Sequence, residues 1–179
     1  MNDYIESVSE FHKTFNQPIN TQNDISPLKL RQLRLKLLFE ELQELSEASD
    51  LKGTFYSLCC DVVNNGIDNQ DNIKDGDTRD KKEELDALCD LQYVLSGAVL
   101  SLGYSDIFDY AFDEVQYSNM SKACKTLGEV DKTMSDYKDK GVESYYISKG
   151  DVYIILRKED DKILKSSFYK EADLHKFIK

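Results

Sequence analysis

The chain is predicted to be mainly α, with helices first and a small antiparallel β-meander at the C-terminal end. Three observations predict this. Apolar residues recur at helical spacing from Leu28 to Leu51. They do so again through Leu85, Leu88, Leu91, Val94 and Leu95. After Gly128 the character shifts to β-rich runs at Tyr145-Tyr146-Ile147, Val152-Tyr153-Ile154-Ile155-Leu156 and Ile163-Leu164. Turn residues at Lys149-Gly150-Asp151 and Asp160-Asp161 separate these runs.

A first helix is expected over Asp3 to Phe15, ending before Pro18. The polar stretch Gln17 to Ile25 reads as a loop. Ser26-Pro27 is a start signal, an N-cap followed by proline at the first helical position. The helix it opens should run to about Asp50, with Gly53 beyond it. Residues 54–65 form a short helix. Gly66 to Asp80 is rich in Asn, Asp and Gly and reads as an exposed loop. A second long helix spans about Thr78 to Leu102, with Gly103 as its stop. The next begins near Ser105, runs through Phe108, Phe112, Val115 and Met120, and Leu127-Gly128 ends the helical core. Val130 to Lys140 is loosely helical, with Gly141 as stop. Two regions follow: a helical core over 1–128, and a C-terminal helix plus β appendage over 129–179. A three-stranded meander cannot stand alone and must pack on the helices or across a dimer.

Composition narrows the function. The 179 residues carry 34 acidic and 23 basic side chains, for a net charge of −11. That argues against nonspecific binding to nucleic acid polymers or anionic membranes. A nucleotide substrate stays open, because a bound metal can supply the positive charge. No apolar run reaches transmembrane length and no signal peptide opens the chain, so a cytoplasmic protein is expected. Cys59, Cys60, Cys89 and Cys124 show no CxxC spacing, which favours reduced thiols. His12 and His175 lie at opposite ends of the chain, which argues against zinc.

Two acidic clusters interrupt the helical patterns. In the first, Glu40-Glu41-Leu42-Gln43-Glu44, residues Glu40 and Glu44 share one helix face at about 100° per residue. In the second, Glu83, Asp86 and Asp90 lie within about 40° of a line that continues into Val94 and Gly97. That line reads as buried, where an unpaired carboxylate is costly. Like charges at i,i+4 also cost roughly 0.2–0.5 kcal/mol per pair. A Glu-rich face alone is more often solvated surface than site. Asp90, however, is flanked by Leu88, Cys89 and Leu91 in the most apolar stretch of the chain, and Asp is a poor helix-interior residue. Together the clusters favour a divalent metal with hard oxygen ligands. Neither histidine completes a Glu-x-x-His motif in the acidic helices, so carboxylate ligation points to Mg²⁺, or Mn²⁺, rather than di-iron. Magnesium held by a few carboxylates usually also binds substrate phosphates, which points to phosphoryl chemistry. A neighbouring carboxylate not committed to metal can serve as general base.

Three stretches carry a family resemblance. They are Leu33-Arg34-Leu35-Lys36-Leu37-Leu38-Phe39-Glu40-Glu41-Leu42-Gln43-Glu44, Leu85-Asp86-Ala87-Leu88-Cys89-Asp90-Leu91-Gln92-Tyr93-Val94 and Glu114-Val115-Gln116-Tyr117-Ser118-Asn119-Met120-Ser121-Lys122. Phe11-His12-Lys13-Thr14-Phe15 and Lys162-Ile163-Leu164-Lys165 also look familial. With these the chain resembles the all-α nucleoside triphosphate pyrophosphohydrolases. This is the MazG-like group, which includes dimeric dUTPases and phosphoribosyl-ATP pyrophosphohydrolases. The resemblance implies a helical bundle, a homodimer or homotetramer, and Mg²⁺ in an acidic groove. It also implies cleavage between the α- and β-phosphates to give a monophosphate and pyrophosphate, in a nucleotide-pool house-cleaning role. By position, Glu40 and Glu44 look like metal ligands, Glu41 like a ligand or the residue that activates water, and Asp90 like the ligand of the second helix. The family often has ExxD there, which would place Glu at Ala87. This chain instead has Asp86 one turn before Asp90, and the number of metals is left open. Asn119 and Lys122 would contact sugar or phosphate, against the plainer reading of a helix end with an exposed lysine.

Other side chains have paired readings. Phe11 and His12 could stack on a base, or Phe11 could be core. Lys36 could reach phosphate, or pair with Glu40 at i,i+4. Glu47 extends the Glu40–Glu44 face or is solvated. Tyr145, Tyr146 and Tyr153 could cover a ligand, but alternating aromatics usually build strand packing. Tyr169 and Asp173 could close over the site. The function expected is a metal-dependent nucleoside triphosphate pyrophosphohydrolase. Its alternatives are a phosphoribosyl-ATP pyrophosphohydrolase and a non-catalytic acidic helical protein that binds a partner or Ca²⁺.

Overall fold

A computed structural model describes residues 3–19, 28–64 and 80–178. The Ser26-Pro27 start signal, most of the loop expected from Gly66 and the Thr78 helix start lie outside the described residues. Among the described residues there are six helices: α1 (Asp3–Thr14), α2 (Leu28–Ala48), α3 (Lys52–Asn64), α4 (Lys81–Ser101), α5 (Phe108–Met120) and α6 (Leu127–Asp139). Three strands follow, β1 (Ser144–Lys149), β2 (Val152–Arg157) and β3 (Ile163–Leu164), and then a 3₁₀ turn at His175–Phe177. The sheet is an antiparallel meander of order β1-β2-β3, so the fold is mainly α with a C-terminal meander, as the sequence predicts. No described helix is long and apolar enough to cross a membrane. The chain divides into two compact units, one of Met1–Ile19 with Leu88–Lys179 and one of Asn20–Ala87.

Helix ends follow local chemistry. Gly103 and Gly141 stop α4 and α6 as expected, each in a left-handed conformation with φ of 79° and 74°. Behind Gly103, the Tyr104 N–H reaches back to the Val99 carbonyl at 3.0 Å and the Gly103 N–H to Leu100 at 3.1 Å. The second helix ends near Asp50 as expected, and Gly53 beyond it lies inside α3. Asp50 takes the left-handed position itself, with φ of 58°. The Leu51 N–H then bonds the Ser46 carbonyl at 2.8 Å and the Asp50 N–H that of Glu47 at 3.2 Å, leaving Gly53 free to enter α3. Leu127-Gly128 is a start rather than an end. Thr126 caps α6 by accepting from the Glu129 N–H at 3.2 Å, and the Glu129 carboxylate accepts from the Lys125 N–H at 2.7 Å. This Thr-x-x-Glu pattern overrides the glycine as a stop signal.

In the first unit the core forms around β2, buried on both faces. Ile154 and Leu156 point to one side with Phe15, just after α1, and Ala123. Ile155 points to the other with Cys124, Val130 of α6 and Leu164 of β3. The alternation is the ordinary period of a strand, here with cover on each side. The meander thus packs on α1 and α6. Cys124 adds an isolated bridge, exchanging backbone bonds with Tyr153 at 2.8 Å in each direction. The hairpin β1–β2 turns at Gly150-Asp151, with Gly150 supplying a φ of 59°. Before β3, Arg157 grips Asp160 through Nε at 2.7 Å and Nη2 at 2.6 Å, which holds the Asp160 carboxyl down at about 2. Helix α1 also packs on α5, where the ring of Tyr4 lies 4.5 Å from that of Phe112, and Gln116 Nε2 donates to the Ser7 carbonyl at 2.9 Å. In the second unit α2 and α3 form a helical pair joined by a tight turn, with Phe39 and Phe55 rings 5.1 Å apart.

Placing the core at β2 has a measurable consequence. Ile155 is fully buried. Ile155→Ala is expected to lower unfolding free energy by about 2–5 kcal/mol. A change within about 0.5 kcal/mol in urea unfolding, the size usual for a surface substitution, would place the core elsewhere.

Candidate active site

Helix α2 presents the first acidic cluster to solvent. Glu40 and Glu44 stand one turn apart on one face, with Glu41 beside them, and all three are exposed. Lys36 Nζ lies 3.4 Å from Glu40 Oε1, the i,i+4 pairing that was the plainer of its two readings. Glu47 is engaged otherwise. It accepts from Gln43 Nε2 at 3.2 Å and pairs with Lys52 Nζ at 3.3 Å, and both contacts hold its carboxyl below the ordinary range. Glu41 and Glu44 make no side-chain hydrogen bond or ion pair among the described residues.

Helix α4 carries the second cluster. Asp80 caps it, its Oδ1 accepting from the backbone N–H groups of Lys82 and Glu83 at 3.1 Å each. Glu83 pairs with Lys82 Nζ at 2.9 Å. Asp86 and Asp90 stand one turn apart, exposed and without a side-chain partner among the described residues. The expectation that their line continues into a buried valine is corrected, because Val94 is 68% exposed. Among the described residues nothing covers that face, so burial does not force a counter-charge there.

Glu40, Glu41, Glu44 and Asp86 belong to the second unit and Asp90 to the first. Within each unit, no three His, Cys, Asp or Glu side chains among the described residues converge on one point. The type of donor on each helix nevertheless suits a hard cation. Glu41, Glu44, Asp86 and Asp90 offer carboxylate oxygens that no protein donor occupies among the described residues, and Mg²⁺ takes one or two such ligands while keeping waters.

Of the residues expected to contact substrate, Asn119, Lys122 and Phe11 come together in the first unit, whereas Lys36 belongs to the second. Lys122 Nζ donates to Asn119 Oδ1 at 2.7 Å and lies 5.5 Å from the centre of the Phe11 ring. Burial pushes the Lys122 ammonium below its usual range; the neighbouring Tyr169 opposes that shift and Lys165 adds to it. Phe11 stacks against Phe15 with ring centres 4.4 Å apart, so it bridges the core and Lys122. His12 turns away, its Nδ1 bonded to the Pro18 carbonyl at 2.9 Å, which ties down the chain after α1. The tyrosines of the meander follow their packing reading: Tyr146 and Tyr153 meet edge to face at 5.9 Å, and Tyr145 donates to Asp161 at 2.8 Å.

The tail lies along α5 and the 118–122 motif. Ser118 Oγ donates to Tyr169 Oη at 2.9 Å, and the Lys170 N–H donates to Ser121 Oγ at 2.9 Å. Lys176 Nζ, at 2.6 Å, and the Asp173 N–H, at 3.0 Å, both bond Glu114 and hold its carboxyl below the ordinary range. Phe11 and Lys122 also wall a cavity of about 320 Å³, together with Tyr137, Lys162 and Lys165. The sequence marks Lys162 to Lys165 only as part of the resemblance and leaves Tyr137 unmarked. A lysine flanking a two-residue strand carries no periodic signal.

Comparison with known proteins gives the family and the fold. A family model described as phosphoribosyl-ATP pyrophosphohydrolase matches residues 8–119. The crystal structure of a protein from Exiguobacterium sp. 255-15, provisionally named an NTP pyrophosphohydrolase, shares the fold. It superimposes with a TM-score of 0.63 at 20% identity, covering 95% of this chain and 89% of that one. No curated protein matches the sequence. The family match takes in both acidic helices and reaches Asn119, well over half of the chain. This protein therefore belongs to the phosphoribosyl-ATP pyrophosphohydrolase family.

Proposed function

We propose that the protein is a Mg²⁺-dependent hydrolase of a nucleoside triphosphate, cleaving the α–β phosphate bond to give the monophosphate and pyrophosphate. The observation that carries this reading is the family match over residues 8–119, which spans the carboxylate-bearing α2 and α4. Glu40, Glu44, Asp86 and Asp90 would hold Mg²⁺, with Mn²⁺ as a substitute. When bound, the metal neutralises phosphate charge and makes a water more acidic. Glu41 would take the proton of the attacking water, since it has no competing partner among the described residues. Asn119 and Lys122 would hold sugar or phosphate. A second reading, phosphoribosyl-ATP as the substrate, is favoured by the description of the matching family. Both readings release pyrophosphate, whereas a non-catalytic acidic binding protein would release nothing.

A panel of ordinary, deoxy and modified nucleoside triphosphates, with phosphoribosyl-ATP, separates these readings. The expected products are a nucleoside monophosphate and pyrophosphate, with acceptance of modified bases if the role is house-cleaning. A diphosphate with orthophosphate would refute the reaction. Turnover of phosphoribosyl-ATP alone would select the second reading.

The ligand assignment has its own test. Glu44→Gln and Asp90→Asn remove a ligand charge while nearly preserving shape. Each should reduce Mg²⁺-dependent turnover by more than the roughly 10–100-fold that even outer-shell partners of a metal cost. Full activity in both variants, with unchanged circular dichroism, would dismiss these residues as ligands.

We also propose a homodimer or homotetramer. The apolar residues of α2 and α4 lie open in the single chain, with Leu35 71% and Leu85 64% exposed. Soluble monomers rarely leave contiguous apolar faces of this kind, and a symmetric contact would cover them. Light scattering at micromolar concentration should give at least twice the chain mass of 20.6 kDa. A monomer would contradict this.

A further inference from the structure

The cavity between α1, α6 and β3 differs in charge from the rest of the molecule. Among the described residues its wall contains Lys122, Lys162 and Lys165 and no carboxylate. The whole chain has 34 acidic against 23 basic residues, so three lysines without an acid around one hollow depart from the general balance. None of the three makes an ion pair with a carboxylate among the described residues. Asp160, whose carboxyl responds to Lys162, is already gripped in bidentate fashion by Arg157, at 2.7 and 2.6 Å. Lys165 Nζ rests 4.1 Å from the centre of the Tyr169 ring, and Lys122 Nζ rests over Phe11.

The wall is held in place by backbone bonds. The Ser166 N–H donates to the Lys122 carbonyl at 3.0 Å, which fixes the two lysine-bearing segments side by side. Tyr137 Oη donates to the Lys165 carbonyl at 3.1 Å. Phe11 and Tyr137 supply apolar walls. The Lys122 and Lys165 ammonium groups repel one another, and the partly buried Lys122 lacks a counter-charge among the described residues. An anion with several oxygens would relieve both costs and accept charge-assisted hydrogen bonds from each. The volume, about 320 Å³, lies at the lower end of the roughly 300–1,000 Å³ typical of small-molecule sites.

We propose that this cavity is a phosphate subsite that takes the diphosphate part of a nucleotide, or the pyrophosphate product, with Lys162 and Lys165 joining Lys122 as its cationic donors. The choice of phosphate as ligand rests on the pyrophosphohydrolase reading above; the existence of an anion site rests on the charge and geometry of the wall alone. Neither Lys162 nor Lys165 belongs to the carboxylate machinery, so the subsite can be probed without metal.

The probe is inorganic pyrophosphate in excess EDTA, with lysine acetylation followed by mass spectrometry. Pyrophosphate should slow acetylation of Lys162 and Lys165 several-fold and leave the exposed Lys138 and Lys149 unchanged. In calorimetry, the K162Q/K165Q double variant should weaken pyrophosphate binding by about tenfold or more, as expected for lost charge-assisted bonds. Unchanged acetylation of both lysines at high pyrophosphate, or no binding to the wild-type protein, would overturn the subsite. If the double variant misfolds, the footprint on the wild-type chain decides alone. Protection without any pyrophosphate release in the nucleotide panel would refute the catalytic reading and leave the subsite standing. Release without protection would do the reverse.

Discussion

The two-sided burial of β2 is the constraint on which the first unit depends. Successive residues of a strand point to opposite faces, so Ile154 and Leu156 need cover on one side and Ile155 on the other. A three-stranded meander cannot supply that cover itself. It comes from Phe15, near the start of the chain, and from Val130 of the helix just before the meander. The two ends of the sequence are thereby joined through a single strand. The consequences extend to the segment after α5. Because Cys124 pairs with Tyr153 and Ser166 pairs with Lys122, the end of the 118–122 motif is fastened to the sheet.

A small polar group lies inside this core. Cys124, Thr133 and Ser166 are buried, and each has a partner. Cys124 Sγ approaches Ser166 Oγ at 3.4 Å, and Thr133 Oγ1 accepts from the Ser167 N–H at 3.0 Å. Buried polar atoms without partners are costly, so this set locks the tail to α6 in one register. From there the tail turns along α5, where Tyr169, Lys170 and Lys176 hold it. The position of Lys122 is therefore set by packing within the first unit.

The charges are segregated by the same fold. Glu41, Glu44, Asp86 and Asp90 face solvent free of protein donors among the described residues, and Lys36 is the partner of Glu40. Lys122 and Lys165 of the cavity sit against aromatic rings instead of acids. A protein of net charge −11 that works on polyanions needs a way to offset repulsion. Metal on the acidic helices and ammonium groups in the cavity are the two devices proposed here, and they act through different residues.

The succession of helices, the strand order and the stops at Gly103 and Gly141 were legible in the sequence, because each depends on local periodicity or on a backbone conformation that one residue type prefers. The family too was legible, through the order of the two acidic helices and the Ser118–Lys122 motif. Where two local signals competed, local reading failed. Leu127-Gly128 resembled an end, but Thr126 with Glu129 built a cap. Periodicity also misjudged burial. It marks which side chains of α4 share a face, and Val94 shares that of Asp90, but it does not say whether anything packs there. By itself the sequence determined the elements, their order and the carboxylates that share a helical turn. Only the tertiary structure decided that the core lies in the short meander, and that Phe11, Lys122, Lys162 and Lys165 wall one cavity. Contacts between residues 11 and 165 depend on how strands and helices pack across the chain, and no local pattern encodes a distance of that kind.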